Sequence, residues 1–228
     1  MAPGYFTAAT FDFLRQLAAN NERDWFEAHK ERYEQAVRQP ALAFIADMAP
    51  SLLAIAPRFV AQPRKVGGSL MRIQRDVRFS RDKSPFKTNI GIQFRHEAGK
   101  DVHAPGYYLH IEPGGCFIGV GIWHPEPEPL FLIRSAIAEK GAQWMHACND
   151  ANFRRHFTPE GESLRSVPRG FDKAHPQIEE IKRKDFIAST ELSEAQICSP
   201  ELLPMVADHF HAAEPYMQFL CRALKLSF

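Results

Sequence analysis

The sequence predicts an α+β domain with N-terminal helices, a central antiparallel β-meander and C-terminal helices. Two changes of hydrophobic period support this prediction. Apolar residues recur at helical spacing up to about residue 57, alternate with polar residues or glycine between residues 90 and 123, and then return to helical spacing. Separate runs of helices and strands are typical of the α+β class. A chain of 228 residues could hold one domain or two, and we take it as a single domain, residues 1–228.

Three helices are expected before residue 57. Thr7 or Thr10 would cap the first, and Asn21 followed by Asp24 predicts the N-cap and first turn of the second. Pro40 would begin the third, since proline fits the first helical turn. The residues expected on the apolar faces of these helices are Phe11, Leu14, Leu17, Ala18, Trp25, Phe26, His29, Tyr33, Val37, Leu42, Ile45, Met48, Leu52 and Leu53.

Three strands are expected in the middle of the chain, at residues 90–94, 107–112 and 116–123, with a Gly-rich turn at residues 113–115. Glycines at 119 and 121 leave space on one face of the last strand, where a ligand could approach closely. Gly121→Val is therefore expected to fill this space and leave the fold intact. The polar residues predicted on the same open face are Gln93, Arg95, Tyr108, His110 and Glu112.

The final third of the chain is expected to return to helices. A helix should follow the PEPEP segment at residues 125–129, and the polar residues 149–176 predict a long connection. Residues 186–192 indicate a further strand or edge segment. One closing helix is expected over residues 200–226, with its inward face formed by Leu202, Val206, Phe210, Met217 and Leu220.

Composition narrows the function classes. The chain has no apolar run of about 18 residues and no basic segment followed by an apolar one at its start, so neither a spanning helix nor a signal peptide is expected. Four widely spaced cysteines favour thiols in a reducing compartment, which predicts a cytoplasmic protein. HExxH, Walker and GxGxxG motifs are absent, so no metal, ATP in a P-loop or NAD is expected, and no cofactor is assigned.

The basic segment, residues 72–89, is the strongest functional signal. It holds six Lys or Arg and two Asp, within a wider region (residues 58–100) that carries eleven Lys or Arg and three Asp or Glu. Guanidinium forks suit phosphate or carboxylate. Because the whole chain carries a net charge of only +1, a small anionic ligand fits better than nucleic acid, which stays a weaker alternative. The proposed ligand-binding residues are Arg72, Arg75, Arg78, Lys83, Lys87, Tyr108 and His110.

Two other interpretations remain open. In the first, Asp76 and Asp82 pair with the arginines, and the basic segment is an internal salt-bridged brace of a structural or protein-interaction module. In the second, His110 and Glu112 lie on one strand face about 7 Å apart and serve as acid and base in a hydrolase or transferase. The sequence does not decide whether the protein is an enzyme, and it leaves the ligand and the oligomeric state open.

Five segments carry a resemblance to a known family. They are NNERDWF at 20–26, RDVRFSRDKSPFKTN at 75–89, GYYLHIEPGG at 106–115, GVGIW at 119–123 and FDKAHP at 171–176. In this order they resemble DUF2461, a widespread family catalogued as a conserved domain of unknown function. The resemblance implies the order of helices, sheet and helices, and it assigns no activity, cofactor or catalytic residue.

Overall fold

Helices come before and after a five-stranded antiparallel sheet in the computed structural model, which describes residues 4–99 and 104–228. This arrangement confirms the predicted α+β fold class with a single-domain layout. The helices are α1 (Ala8–Ala19), α2 (Arg23–Ala28), α3 (Lys30–Tyr33), a π-helical turn (Glu34–Arg38), α4 (Gln39–Ile55), α5 (Pro127–Glu139), α6 (Gly141–Cys148), α7 (Ala151–His156), α8 (Ile178–Ile181), α9 (Glu194–Ile197), α10 (Leu202–Ala212) and α11 (Glu214–Ala223). The strands are β1 (Ile90–Arg95), β2 (Gly106–Ile111), β3 (Cys116–Ile122), β4 (Thr158–Glu160) and β5 (Phe186–Leu192). None of the described helices combines the length and apolar character needed to cross a membrane.

The three strands of the predicted meander are adjacent in the sheet, whose order is β1-β2-β3-β5-β4. Gly114 turns the chain between β2 and β3 with a φ of 75°, a conformation that favours glycine. The segment at 186–192 does form a strand, and this strand lies between β3 and β4. The short strand β4 occupies the edge.

One face of the sheet packs against helices and forms the core. Phe94 of β1 and Tyr107 of β2 both contact the Phe210 ring of α10, at centroid distances of 5.7 and 4.6 Å. Burial alternates along the strands because successive side chains point to opposite faces. The half-buried and exposed residues therefore share the other face, which we call the open face.

The caps of the first two helices follow the prediction only in part. Thr7 is the N-cap residue of α1, and the Thr10 hydroxyl accepts a hydrogen bond from the Thr7 N–H, as in a capping box. The N-cap position of α2 is Glu22, so the assignment of Asn21 as a cap is wrong. The side chain of Asn21 instead pairs with the backbone of Phe86, accepting from its N–H at 3.0 Å and donating to its carbonyl at 2.9 Å.

The predicted second helix is divided into α2, α3 and the π-helical turn, whereas α4 is continuous and carries Pro40 in its first turn. Ala18 and Leu53 were expected on apolar faces and are exposed. Both sit near the border of their apolar stripe, where the 3.6-residue period assigns a face poorly.

The C-terminal third contains more regular structure than predicted. Residues 149–176 include α7 and β4, because Asp150 caps α7 by accepting from the N–H groups of Asn152 and Phe153, and buried Phe153 anchors it. The prediction of one closing helix is also wrong, because this segment forms two helices, α10 and α11. They meet at Ala213, just before Pro215, which lacks the N–H that a continuing helix would need.

Candidate functional site

The basic segment folds back on itself through a short two-stranded pairing. The N–H of Arg75 donates to the Pro85 carbonyl at 2.9 Å, and the N–H of Lys87 donates to the Ile73 carbonyl at 2.8 Å. Asn21 holds Phe86 in the middle of this pairing from the helical side. Arg75 and Lys87 are thus placed at the base of a protruding loop, next to the start of β1.

Two ion pairs occupy the loop. Arg75 pairs with Asp82, and Arg78 pairs with Asp76 at 2.6 Å. Neighbouring Ser84 lowers the pKa of Asp82, with Arg75 adding to the effect, and the Arg78 guanidinium lowers the pKa of Asp76 to about 2. The ion pairs foreseen between the arginines and Asp76 and Asp82 therefore form. The Arg78–Asp76 pair is exposed, with side-chain exposures of 75% and 40%, and the Arg75–Asp82 pair is partly exposed, with 28% and 59%.

Two further polar groups of the basic segment bond to other residues of the loop. The Ser84 hydroxyl donates to Asp82 at 2.6 Å, and the Lys83 ammonium donates to the Val77 carbonyl at 2.9 Å. Both groups are thereby used within the loop.

A polar depression of about 340 Å³ lies between the end of α1 and the base of the loop. Arg75, Asp82, Ser84, Lys87 and Asn89 are among the residues that line it. Arg72, Arg78 and Lys83 lie outside this lining. The depression therefore collects two of the five loop cations predicted to bind a ligand.

Lys87 is the least compensated charge in the polar depression. Its side chain is half-buried, and burial followed by the nearby charge of Arg72 lowers its pKa. Its ammonium makes a long hydrogen bond to the Met71 sulfur, 4.0 Å away. Among the residues that the structure describes, no carboxylate forms an ion pair with Lys87 or Arg72.

The segment after Lys87 connects the depression to the sheet. The Thr88 hydroxyl donates to Glu112 at 2.9 Å, and the Asn89 amide approaches Nδ1 of His110 at 3.4 Å. These contacts bring the basic segment to the residues predicted on the open face. The residues directly after Lys87 therefore contact His110 and Glu112 of the sheet.

Tyr108, His110 and Glu112 form a hydrogen-bonded chain along β2. The Tyr108 hydroxyl lies 3.0 Å from His110 Nδ1, and His110 Nε2 lies 3.2 Å from Glu112. A neutral imidazole with its proton on Nε2 satisfies both contacts. Burial and the charge of Glu112 raise the pKa of Tyr108 to about 12, so this residue stays a hydroxyl at neutral pH. The Phe117 ring stacks on the imidazole at 4.6 Å.

A second concavity, the open-face groove, has a volume of about 520 Å³. Cross-strand pairing puts Gln93, Tyr108, Gly119 and Ser189 in one row across four strands, and these four line the groove. Trp123, which is 49% exposed, lines it beyond that row.

The two glycines of β3 have different roles. Gly121 has a φ of 114°, and a Cβ there would overlap the Phe186 carbonyl oxygen of β5. The expectation that Gly121→Val leaves the fold intact is therefore wrong. Gly119 has room, because an added Cβ would lie 3.5 Å from the Phe117 ring, which is an ordinary contact. Only Gly119 keeps its side of the strand open toward the groove without a backbone constraint.

Residues 9–219 match the family model described as conserved hypothetical protein, DUF2461. The chain belongs to the DUF2461 family. The match confirms the resemblance carried by the five sequence segments, and it includes both the polar depression and the open-face groove. Searches of curated proteins and of solved structures each gave no match to this DUF2461 chain.

Several residues that line or position the polar depression and the open-face groove were not predicted from the sequence. Asn21 positions the basic segment from 65 residues away, and Ser189 reaches the groove from β5. Met71 lies over Gly91, where a Cβ would be 2.9 Å from the Met71 sulfur and 2.7 Å from the Tyr108 hydroxyl. A glycine inside a strand signals such a close approach, although it does not say which residue approaches.

No group of three or more His, Cys, Asp or Glu side chains is placed to hold a metal in the described parts of this DUF2461 chain. All four cysteines are free thiols. Burial raises the pKa of both Cys148 and Cys221 to about 12, so neither is a thiolate at neutral pH.

Arg78→Ala is expected to lower the unfolding midpoint at pH 7 only slightly, because its ion pair with Asp76 is exposed and screened by solvent. The pKa of Asp76 should rise toward the ordinary value near 3.8. A lowered carboxyl pKa stabilises the fold above the ordinary pKa, and this effect is lost as the pH falls toward 2. NMR titration of the Asp76 carboxyl and denaturant unfolding measure both quantities. A clear fall in the midpoint would support the internal brace.

Proposed function

We propose that this DUF2461 protein binds a small phosphate- or carboxylate-bearing anion where the basic segment meets β1. The proposal rests on the environment of Lys87. Its ammonium is half-buried beside Arg72, and no carboxylate among the described residues compensates it. Burying a cation without a counter-charge is unfavourable, and a bound anion would remove that cost.

The polar depression supplies further groups for such an anion. Arg75 lines it and is already paired with Asp82, so an incoming anion meets Lys87 first and competes with Asp82 for the guanidinium. Arg72 adds positive charge next to Lys87. Tyr108 and His110 complete the proposed ligand-binding set from the sheet, whereas Arg78 and Lys83 lie outside the depression and contribute only to the local field.

We also propose that the protein is cytoplasmic, as the sequence predicts. Free thiols at all four cysteines support it, since a reducing compartment keeps cysteines in this state. The ligand is then an anion of the cytoplasm. A free phosphate ester and the phosphate backbone of a nucleic acid share the chemistry that Lys87 and Arg72 recognise.

A hydrolase or transferase is the second candidate, and one observation favours it. The chain from Tyr108 through His110 to Glu112 links a hydroxyl in the open-face groove to a carboxylate, which is an arrangement suited to proton transfer. The structural or interaction module receives less support, because the ion pairs of its brace are largely exposed.

Inorganic phosphate is expected to raise the melting temperature of the wild-type protein at constant ionic strength. At about ten times its Kd, binding adds about 1.4 kcal/mol, which corresponds to about 3–5 °C for a chain of this size. Lys87→Met should abolish the shift. Lys173→Met removes the same charge from an exposed turn and should retain it.

Sodium chloride at matched ionic strength controls for screening. No shift with phosphate, or an equal shift in Lys87→Met, would contradict the anion site. A short single-stranded oligonucleotide distinguishes the two sources of phosphate. Tighter binding of the oligonucleotide than of inorganic phosphate, lost in Lys87→Met, would identify nucleic acid as the source.

A further inference from the structure

We infer that the ligand of this site carries a flat ring, which lies in the open-face groove while its anionic group binds Lys87. This inference rests on the proposed anion site and names the class of ligand: a phosphate or carboxylate joined to an aromatic or similarly planar body. The depression and the groove are then two ends of one binding site.

Met71 joins the two ends. Its N–H donates to the Gly91 carbonyl at 2.9 Å, which fixes residue 71 along the edge of β1. Its side chain lines the groove and its sulfur lies 4.0 Å from the Lys87 ammonium. A ligand in the groove therefore has a cation immediately beyond the Met71 side chain.

The walls and floor of the groove suit a planar group. Gly119 forms part of the floor. The Tyr108 side chain lies beside it in the same row of the sheet, and the Phe117 ring lies in the next row along β3. Trp123 adds a third ring at the far end. Aromatic side chains around a glycine floor favour flat apolar groups, and about 520 Å³ is a usual size for a small-molecule site.

The charges around the groove orient the ligand. Glu160 on β4 and Glu191 on β5 line one edge, and Lys87 with Arg72 lies beyond Met71 at the opposite edge near β1. An anion would be repelled from the first edge and attracted to the second. The ring then occupies the middle of the sheet, over Gly119.

Titration calorimetry with methyl phosphate and phenyl phosphate tests this inference. Both probes carry the same anion, and only phenyl phosphate carries a ring. The wild-type protein should bind phenyl phosphate at least about tenfold more tightly, since burial of a ring contributes well over that factor. Gly119→Val should remove this advantage and leave the Kd of methyl phosphate unchanged, because its side chain enters the groove without touching Lys87.

Ser189→Leu narrows the groove from β5 and should give the same selective loss, which keeps the test valid if Gly119→Val does not fold. Equal affinity of the two probes for the wild-type protein would overturn the ring inference and leave the anion site standing. Failure of both probes to bind would overturn the anion site itself. A wild-type dimer that Gly119→Val dissociates in sedimentation would show that a second copy occupies the groove, which would also overturn the inference.

Discussion

Gly121→Ala should lower the free energy of unfolding by about 4 kcal/mol, a larger effect than we expect of any other alanine substitution proposed here. The backbone of Gly121 has a φ of 114°, which residues with a Cβ rarely adopt. A Cβ at this position would also overlap the Phe186 carbonyl oxygen, part of the pairing between β3 and β5. Denaturant unfolding monitored by circular dichroism measures the change.

Gly119→Ala is the matched control, because it adds the same methyl group two residues away on the same strand. Its Cβ would make only ordinary contacts, with 3.5 Å to the Phe117 ring and 3.9 Å to Tyr108. We expect its stability to equal or exceed that of the wild type, since glycine inside a strand is unfavourable. Equal stabilities of the two variants would show that the backbone at Gly121 is not constrained.

Asn21→Ala should cost about 3 kcal/mol and loosen the basic segment. The Asn21 side chain makes two hydrogen bonds to the backbone of part-buried Phe86, and alanine would leave both backbone groups without these partners. Because Phe86 lies between Arg75 and Lys87 in the paired base of the loop, the cations of the polar depression should lose their fixed positions. Hydrogen exchange of the Phe86 amide, together with denaturant unfolding, measures both effects.

Asn20→Ala provides the comparison for Asn21→Ala. Asn20 ends α1, and its exposed side chain donates to the Gln16 carbonyl within its own helix at 2.9 Å. Its replacement should leave the exchange of the Phe86 amide unchanged. Equal protection of that amide in Asn21→Ala and the wild type would contradict the role assigned to Asn21.

The sheet was predictable because burial of one face imposes a period of two that appears directly in the sequence. The alternation from Ile90 to Phe94 is reproduced in the burial of β1 except at Gly91, which the Met71 and Tyr108 side chains cover. The capping box at Thr7 was predictable for a similar reason, since both of its partners lie within four residues. These are local patterns, and a single sequence shows them.

The errors arose where distant contacts decide the structure. Asn21 is a residue type that commonly caps helices, but its side chain bonds the backbone of Phe86, 65 residues away. The alternation of the sequence places Gly121 on the open face of β3, like Gly119. The close approach of β5 instead determines the backbone conformation of Gly121. The strand β4 forms only because β5 offers it an edge, so its three residues carry no visible period.

The candidate site shows the same division. Charge density identified the basic segment, and strand alternation placed Tyr108 and His110 on the open face. The sequence could not separate Lys87, which is half-buried without a carboxylate partner among the described residues, from Arg78, which is paired with Asp76 in solvent. Burial and ion pairing depend on the path of the loop, and the spacing of charges along the chain does not encode that path.

The side-chain pKa of Lys87, measured by NMR with and without inorganic phosphate, tests the anion site most directly. Burial and Arg72 lower this pKa in the free protein. A phosphate bound at the ammonium favours its charged form, so the pKa of Lys87 should rise as phosphate saturates the site. The NMR signals of the exposed Lys173 side chain should not respond to phosphate in the same titration. An unchanged pKa at Lys87, at phosphate concentrations that raise the melting temperature, would place the anion elsewhere on the protein.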